Sequence, residues 1–468
     1  MHFDAHFLIL YRLIGGISTD SHDGLAKRVT YRPMTSPTTA PVATAGGKPA
    51  ATTDQSPILA EGHKILKEIA ATLPTAVSGL ERQMMIGDTL SRVDETSKTK
   101  LLGLINHFLT RMFTINASDI DMGGYGSQGY IWYRVYGSKR PDPTLGKYTP
   151  DEMNILVQSV IGERQRTFLY ENRNLDFSHM VHMDATEFRR FRADAYFDLD
   201  QLALNMRAIN NTIRPYKLLD MHPNVTKMLS LAQTKEGLCL VTGITGSGKS
   251  STLDAIIDAN NHSVDGHIVI IASPIEYVHK SDKSIIRHRE VGRDVLSFKD
   301  GAIQALRQDP DIIMIGELRD PETIMVALEI TDSGHKVFST LHTASAVESI
   351  DRIIGEIPPV EQERVRNRLG ETLRAVLSQK LVPSLDGKRV LAKEIMLATP
   401  SVRAAIKNNN TAEIYQMISE GAEQGMCTME QDLKRLYLAK KISLESAMNY
   451  ANNKRRLQQL LQLAPTDQ

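Results

Sequence analysis

Residues 241–252 read Val-Thr-Gly-Ile-Thr-Gly-Ser-Gly-Lys-Ser-Ser-Thr, and no other stretch limits the fold of this chain so narrowly. From Gly243 to Ser250 the spacing is G-x-x-x-x-G-K-[ST], the pattern of a loop that wraps phosphate oxygens. Gly243, Gly246 and Gly248 can take backbone angles closed to residues with a Cβ. The N–H groups around them, with Thr245, Ser247 and Ser251, can therefore turn inward. Lys249 supplies a compact positive charge for the β- and γ-phosphates, and the Ser250 hydroxyl can ligate a metal. Apolar Leu238-Cys239-Leu240-Val241 precedes the loop as a buried strand does. Leu253, Ile256 and Ile257 follow at helical spacing, which places the phosphates on a helix N-terminus. The expected ligands are ATP and Mg²⁺.

A chain of 468 residues has room for two or three domains and a substantial core. Its 55 basic residues balance 55 acidic ones, which argues against bulk nucleic acid as a direct partner. With only Cys239 and Cys427, neither a disulfide framework nor a four-cysteine zinc site can form, and a cytoplasmic location fits. The apolar stretch Phe7–Tyr11 is cut by Arg12 and falls far short of the roughly 20 residues a spanning helix needs. Membrane contact would have to come through a partner.

Four segments follow from the punctuation of the chain. Residues 1–56 are an extension ending in a Pro/Thr/Ala-rich stretch, 33–56, with the composition of a disordered linker. Residues 57–215 mix helical spacing (58–69, 101–113, 151–161) with strand-like runs at 130–136 and 190–196, an α+β domain. Glycines 124, 126 and 129 mark a loop within it. Residues 216–395 alternate strands with helices. The unbroken apolar runs 267–272, 312–315 and 336–341 look like strands of a parallel sheet with helices on both faces. Residues 396–468 form a C-terminal helical region.

Each of those strands ends in residues that can do chemistry. Glu276 follows the first, Glu317, Arg319 and Asp320 the second, and His342 and Thr343 the third, with His335 ahead of it. A lone glutamate after a strand is ordinarily a solvated loop residue. Carboxyl ends of parallel strands share one edge, however, so Glu276, Glu317 and His342 should converge on the nucleotide. Hydrolysis needs a carboxylate to direct water, another near Mg²⁺, and polar groups that sense the γ-phosphate.

These segments together resemble the secretion ATPases of type II secretion, type IV pili and type IV secretion, and most of all the PilT-like retraction ATPases. That family carries, in order, a Walker A loop, an Asp box, an atypical Walker B box and a His box. Here they are residues 243–250, 270–278 (Ile-Ile-Ala-Ser-Pro-Ile-Glu-Tyr-Val), 309–320 and 334–343. The likeness runs through Arg287–Val291 to residues 398–407 (Ala-Thr-Pro-Ser-Val-Arg-Ala-Ala-Ile-Lys), similar to a motif of retraction ATPases. The resemblance implies a RecA-like P-loop NTPase domain behind a PAS-like domain. It also implies Glu276 as the water-activating glutamate, Glu317 as the carboxylate near Mg²⁺ beside Ser250, and His342 with Arg319 on the γ-phosphate side. Arg192 and Arg207 are the arginines expected to reach a nucleotide in a ring of subunits. The Asp box departs from the family by carrying Ala272 and Ser273 where acidic residues are usual.

The resemblance further implies a homohexameric motor acting on an inner-membrane platform protein, either in pilus retraction or as a DotB/TraJ-type secretion ATPase. The altered Asp box raises a third alternative, a catalytically weak structural or regulatory ring subunit.

Overall fold

The computed structural model describes residues 56–184, 187–209 and 212–462. The 1–32 extension and residues 33–55 of the expected linker lie outside them.

The first half is a sheet flanked by helices. Helices α1 (Pro57–Ala70), α2 (Gly79–Arg92) and α3 (Glu95–Thr114) lead into strands β1 (Ala117–Gly123), β2 (Trp132–Val135) and β3 (Ser138–Pro141). Helices α4 (Pro150–Ser159) and α5 (Glu163–Asn172) come next, then β4 (Asn174–His182), β5 (Phe188–Asp198) and β6 (Gln201–Ala208). The six strands pair antiparallel in the order β3-β2-β1-β6-β5-β4. Leu101, Leu104, Phe108 and Met112 recur at helical spacing along α3. They share one buried cluster with Ile120 of β1, Phe191 of β5 and Leu204 of β6. The Gly124–Gly129 stretch turns the chain between β1 and β2, as its composition predicts.

The second half opens with α6 (Pro223–Leu229), β7 (Gly237–Thr242), α7 (Lys249–Ser263), β8 (Gly266–Ala272) and β9 (Ser284–Glu290). It continues through α8 (Phe298–Ala305), β10 (Ile312–Ile315), α9 (Pro321–Asp332), β11 (Lys336–Leu341), α10 (Ala346–Gly355) and α11 (Gln362–Thr372). A hairpin of β12 (Leu373–Pro383) and β13 (Arg389–Leu397) completes a seven-stranded sheet of order β13-β12-β7-β11-β10-β8-β9. All neighbours are parallel except β12 and β13, an antiparallel edge that the sequence reading did not anticipate. Every residue of β7, β10 and β11 is buried, which is why each reads as a continuous apolar run. Helices α12 (Pro400–Lys407), α13 (Ile414–Glu420), α14 (Met429–Leu438), α15 (Leu444–Tyr450) and α16 (Lys454–Gln462) follow. Met429, Leu433 and Leu457 from this group close a third cluster against Val382 of β12 and Ala392 of β13.

A lysine is fully buried in this core. Lys336 opens β11, and its Nζ donates to the Met228 carbonyl at 2.7 Å and the Thr234 carbonyl at 2.9 Å, joining the end of α6 to the sheet. Desolvation lowers its pKa. Lys336→Met keeps the volume but leaves both carbonyls without their donor. It should lower the free energy of unfolding by about 1–3 kcal/mol in a urea titration. An unchanged midpoint would show that water takes over both carbonyls.

Candidate active site

The loop from Gly243 to Ser250 leaves β7 and enters α7 at the carboxyl edge of the parallel sheet. Gly243 has φ +148°, and a Cβ there would lie 2.4 Å from Ser247 Oγ and 2.5 Å from the Gln379 carbonyl oxygen. Gly248 sits at φ +90° as the residue capping α7. Helices α8, α9, α10 and α12 each receive a Ser, Thr or Asp side chain on a first-turn N–H, whereas α7 receives none. Its first amides stay available to an anion, aided by the helix dipole. Ser247 Oγ is buried and has no hydrogen-bond partner among the described residues. Gln379 of β12 backs the loop by donating from Nε2 to the Ser247 carbonyl at 2.9 Å. Sequence reasoning missed Gln379, because it lies 132 residues from Ser247 and belongs to no motif.

Around this loop opens a cleft of about 540 Å³, within the range of small-molecule sites. Lys249, Ser250, Glu276, Glu317, Arg319 and His342 all line it, as do Thr245, Gly246, Gly248 and Ser251. Their convergence follows from topology, since β8, β10 and β11 run parallel and each chain leaves its strand at the same edge. Thr340 clasps the Glu317 segment. Its hydroxyl donates to the Gly316 carbonyl at 2.7 Å, and its carbonyl accepts from Leu318 N–H at 3.1 Å. Glu317 pairs with Arg319 at 2.6 Å and lies 3.7 Å from His342 Nε2.

The electrostatics suit a triphosphate. Burial lowers the pKa of Lys249, and Glu317 and Glu276 only partly offset it, so its charge seeks an anionic partner. Its Nζ meanwhile donates to the Gly243 carbonyl at 2.8 Å. Burial also raises the pKa of Glu276, opposed by a hydrogen bond from Ser250. Glu276 is an exposed residue, yet the protein around it makes desolvation the largest influence on its pKa. His342 is pushed below its ordinary value by burial and then by Lys249, which favours the neutral imidazole near pH 7.

Not every expected residue joins this group. Arg192 of β5 lines the cleft, although it belongs to the other sheet. Arg207 does not. It stands opposite Asp119 in the β1–β6 register and bonds that carboxylate at 2.8 Å, which holds it away from the cleft. His335 precedes β11, at the other end of the strand from His342, and bonds Ser333. A residue that sequence reasoning passed over, Asp254 of α7, lines the cleft one helical turn beyond Ser250 and pairs with His279 Nε2 at 3.2 Å. The four-residue spacing from Ser250 was the available signal.

Residues 94–462 match the family of type II/IV secretion system proteins. The chain belongs to this family. The type IV pilus retraction ATPase PilT of Pseudomonas aeruginosa is 40% identical over 300 residues, 64% of this chain and 85% of that one. A crystal structure of the pilus retraction motor PilT with bound ADP superposes with TM-score 0.68 and 36% identity, covering 76% of this chain and 99% of that one. The Legionella pneumophila ATPase DotB gives TM-score 0.59 at 27% identity, covering 74% and 95%. This secretion-family chain is an ATPase, with a mixed α/β fold built on a parallel sheet.

The residues present also fit a hydrated Mg²⁺. No group of three or more His, Cys, Asp or Glu among the described residues could cage a metal. Mg²⁺ ordinarily needs only one or two protein ligands beside substrate phosphates and water, and Ser250 and Glu317 in one cleft provide that. Gly243→Ala tests the loop geometry. It should weaken nucleotide binding at least tenfold in a fluorescent-nucleotide titration, since a Cβ there displaces Ser247 or β12. Wild-type affinity would contradict the cradle described here.

Proposed function

We propose that this ATPase is a ring-forming motor, hexameric, that turns ATP hydrolysis into relative rotation of its two sheets during type IV pilus retraction. Supporting this reading above all is Arg192, which reaches from β5 of the antiparallel sheet into the cleft that holds Lys249. A nucleotide there would contact both halves at once, so its hydrolysis would change how they meet. The PilT relatives at 40% identity support the pilus assignment. In this reading the work passes to an inner-membrane platform protein, and the ATPase is cytoplasmic and peripheral at that membrane. No helix among the described residues is long and apolar enough to cross a membrane. Residues 57–215 and 216–395 are proposed as the two moving domains, with 396–468 carried on the second.

Each cleft residue then has a task. The α7 amides and Lys249 hold the β- and γ-phosphates. Ser250 and Glu317 hold Mg²⁺, which supplies charge neutralisation on the phosphate oxygens when bound. Glu276 orients the attacking water and draws its proton. Its pKa, raised by desolvation, makes it a better base than an ordinary carboxylate. Neutral His342 and Arg319, which line the same cleft, would contact the γ-phosphate, and Arg192 would offset its charge. The likeness to DotB keeps a type IV secretion motor as the second reading. A catalytically weak structural or regulatory ring subunit, the third reading, would show as low steady-state ATPase activity of the purified oligomer.

Lys249→Ala should abolish turnover with circular dichroism unchanged, because the lost charge acts on phosphate rather than packing. Glu276→Gln should keep ATP binding but lower kcat by roughly 10²-fold. Glu317→Gln should shift the Mg²⁺ dependence as well. Near wild-type kcat in Glu276→Gln would remove that residue from its role. Cells lacking the protein should keep pili extended if it retracts them. A secretion defect with normal pilus dynamics would favour the second reading.

A further inference from the structure

Among the buried charged side chains outside the cleft, one pair joins the two halves of the chain and has no task in the account so far. Arg190 of β5 and Glu290, the last residue of β9, face each other across the two halves of the chain, each side chain only 6% exposed. Arg190 Nη2 donates to Glu290 Oε2 at 2.7 Å. Ser178 of β4 donates to Glu290 Oε1 at 2.6 Å. The remaining bonds of this pair go to Ile275. Ile275 N–H donates to Glu290 Oε2 at 3.1 Å, and the Ile275 carbonyl accepts from Arg190 Nη1. The peptide groups on both sides of Ile275 are thus gripped by one ion pair, and the second of them carries Glu276.

Burying two charges costs several kcal/mol per ion and is weak evidence of a stabilising role, since apolar residues of similar volume would often serve as well. What the pair supplies instead is direction. Two hydrogen bonds tie Ile275, which lies in no helix or strand, to Arg190 of the other sheet and to Glu290 of its own, and two more tie Glu290 to Arg190 and to Ser178 of β4. Arg190 also stands two residues before Arg192, so both point to the same face of β5. One bond network therefore sets the segment that carries Glu276 and the strand that carries Arg192. Glu290 stands opposite Ala272 in the β8–β9 register, beside the part of the Asp box that lacks its acidic residues.

We propose that Arg190 and Glu290 form a latch between the two halves that positions Glu276 through Ile275, so that the water-directing carboxylate is in place only while the halves are docked. Arg190 and Glu290 are positioning residues. Neither lines the cleft. The proposal rests on the role assigned above to Glu276.

The test is a double-mutant cycle on the full chain, reading MgATP KM, kcat and nucleotide affinity. Arg190→Lys keeps the charge but cannot reach Glu290 and the Ile275 carbonyl together. It should lower kcat tenfold or more with KM within about twofold. In a Glu276→Gln background the same change should lower the remaining kcat by less than threefold, because the group it positions is already disabled. Should Arg190→Lys not fold, Ser178→Ala removes one bond to Glu290 and should lower kcat two- to threefold, again only while Glu276 is present. A tenfold or larger loss in Glu276→Gln with none in Arg190→Lys, or in Ser178→Ala where that is the variant that folds, overturns the latch alone. An equal loss in both backgrounds shows a general structural effect and also overturns it. Unchanged turnover in Glu276→Gln removes the reading of Glu276 and the latch with it.

Discussion

A parallel sheet gathers the carboxyl ends of all its strands at one edge, and the rest of this structure depends on that constraint. Strands β7, β8, β10 and β11 deliver the phosphate loop, Glu276, Glu317 and His342 to a single cleft, although 99 residues separate Gly243 from His342 in sequence by subtraction. The uncapped start of α7 is the second half of the arrangement. Helices α9 and α10 spend Asp320 and Ser345 on their free amides, while α7 begins at a glycine and leaves its own for an anion.

In the proposed reading, that edge is not a complete catalytic site by itself. It holds Lys249, Arg319 and the carboxylates of Asp254, Glu276 and Glu317, but Arg192 comes from the antiparallel sheet. The buried Arg190–Glu290 pair binds the same strand to the loop that carries Glu276. A chain built this way links the chemistry at the phosphate to the docking of two bodies, which is what a motor requires. Loss of the usual Asp-box acids at Ala272 and Ser273 leaves a cleft in which Glu276, Glu317 and Asp254 carry the negative charge.

Much of this was legible in the sequence, for identifiable reasons. Strands β7, β8, β10 and β11 show as apolar runs because burial on both faces removes alternation. Strand β9 was missed because, at the sheet edge, it carries Arg287, His288 and Arg289. The β12–β13 hairpin was missed because Ser378, Gln379 and Lys380 interrupt its apolar pattern, and Gln379 turned out to brace the loop. The motif residues were found by spacing. Arg192 and Arg207 could not be told apart that way, because only the β1–β6 register reveals that Asp119 holds Arg207. Arg190 and Glu290 gave no sign of being buried together, since nothing local marks a pair 100 residues apart.

The central claim is that the antiparallel sheet completes the site through Arg192, and steady-state hydrolysis by an Arg192→Ala chain tests it most directly. With the fold intact, nucleotide affinity should stay within about threefold of wild type. Turnover should fall roughly 10²-fold or more, the scale of losing a charge that stabilises the transferring phosphoryl group. Turnover within a factor of two of wild type would mean that the parallel sheet does the chemistry alone, and the coupling described here would not exist.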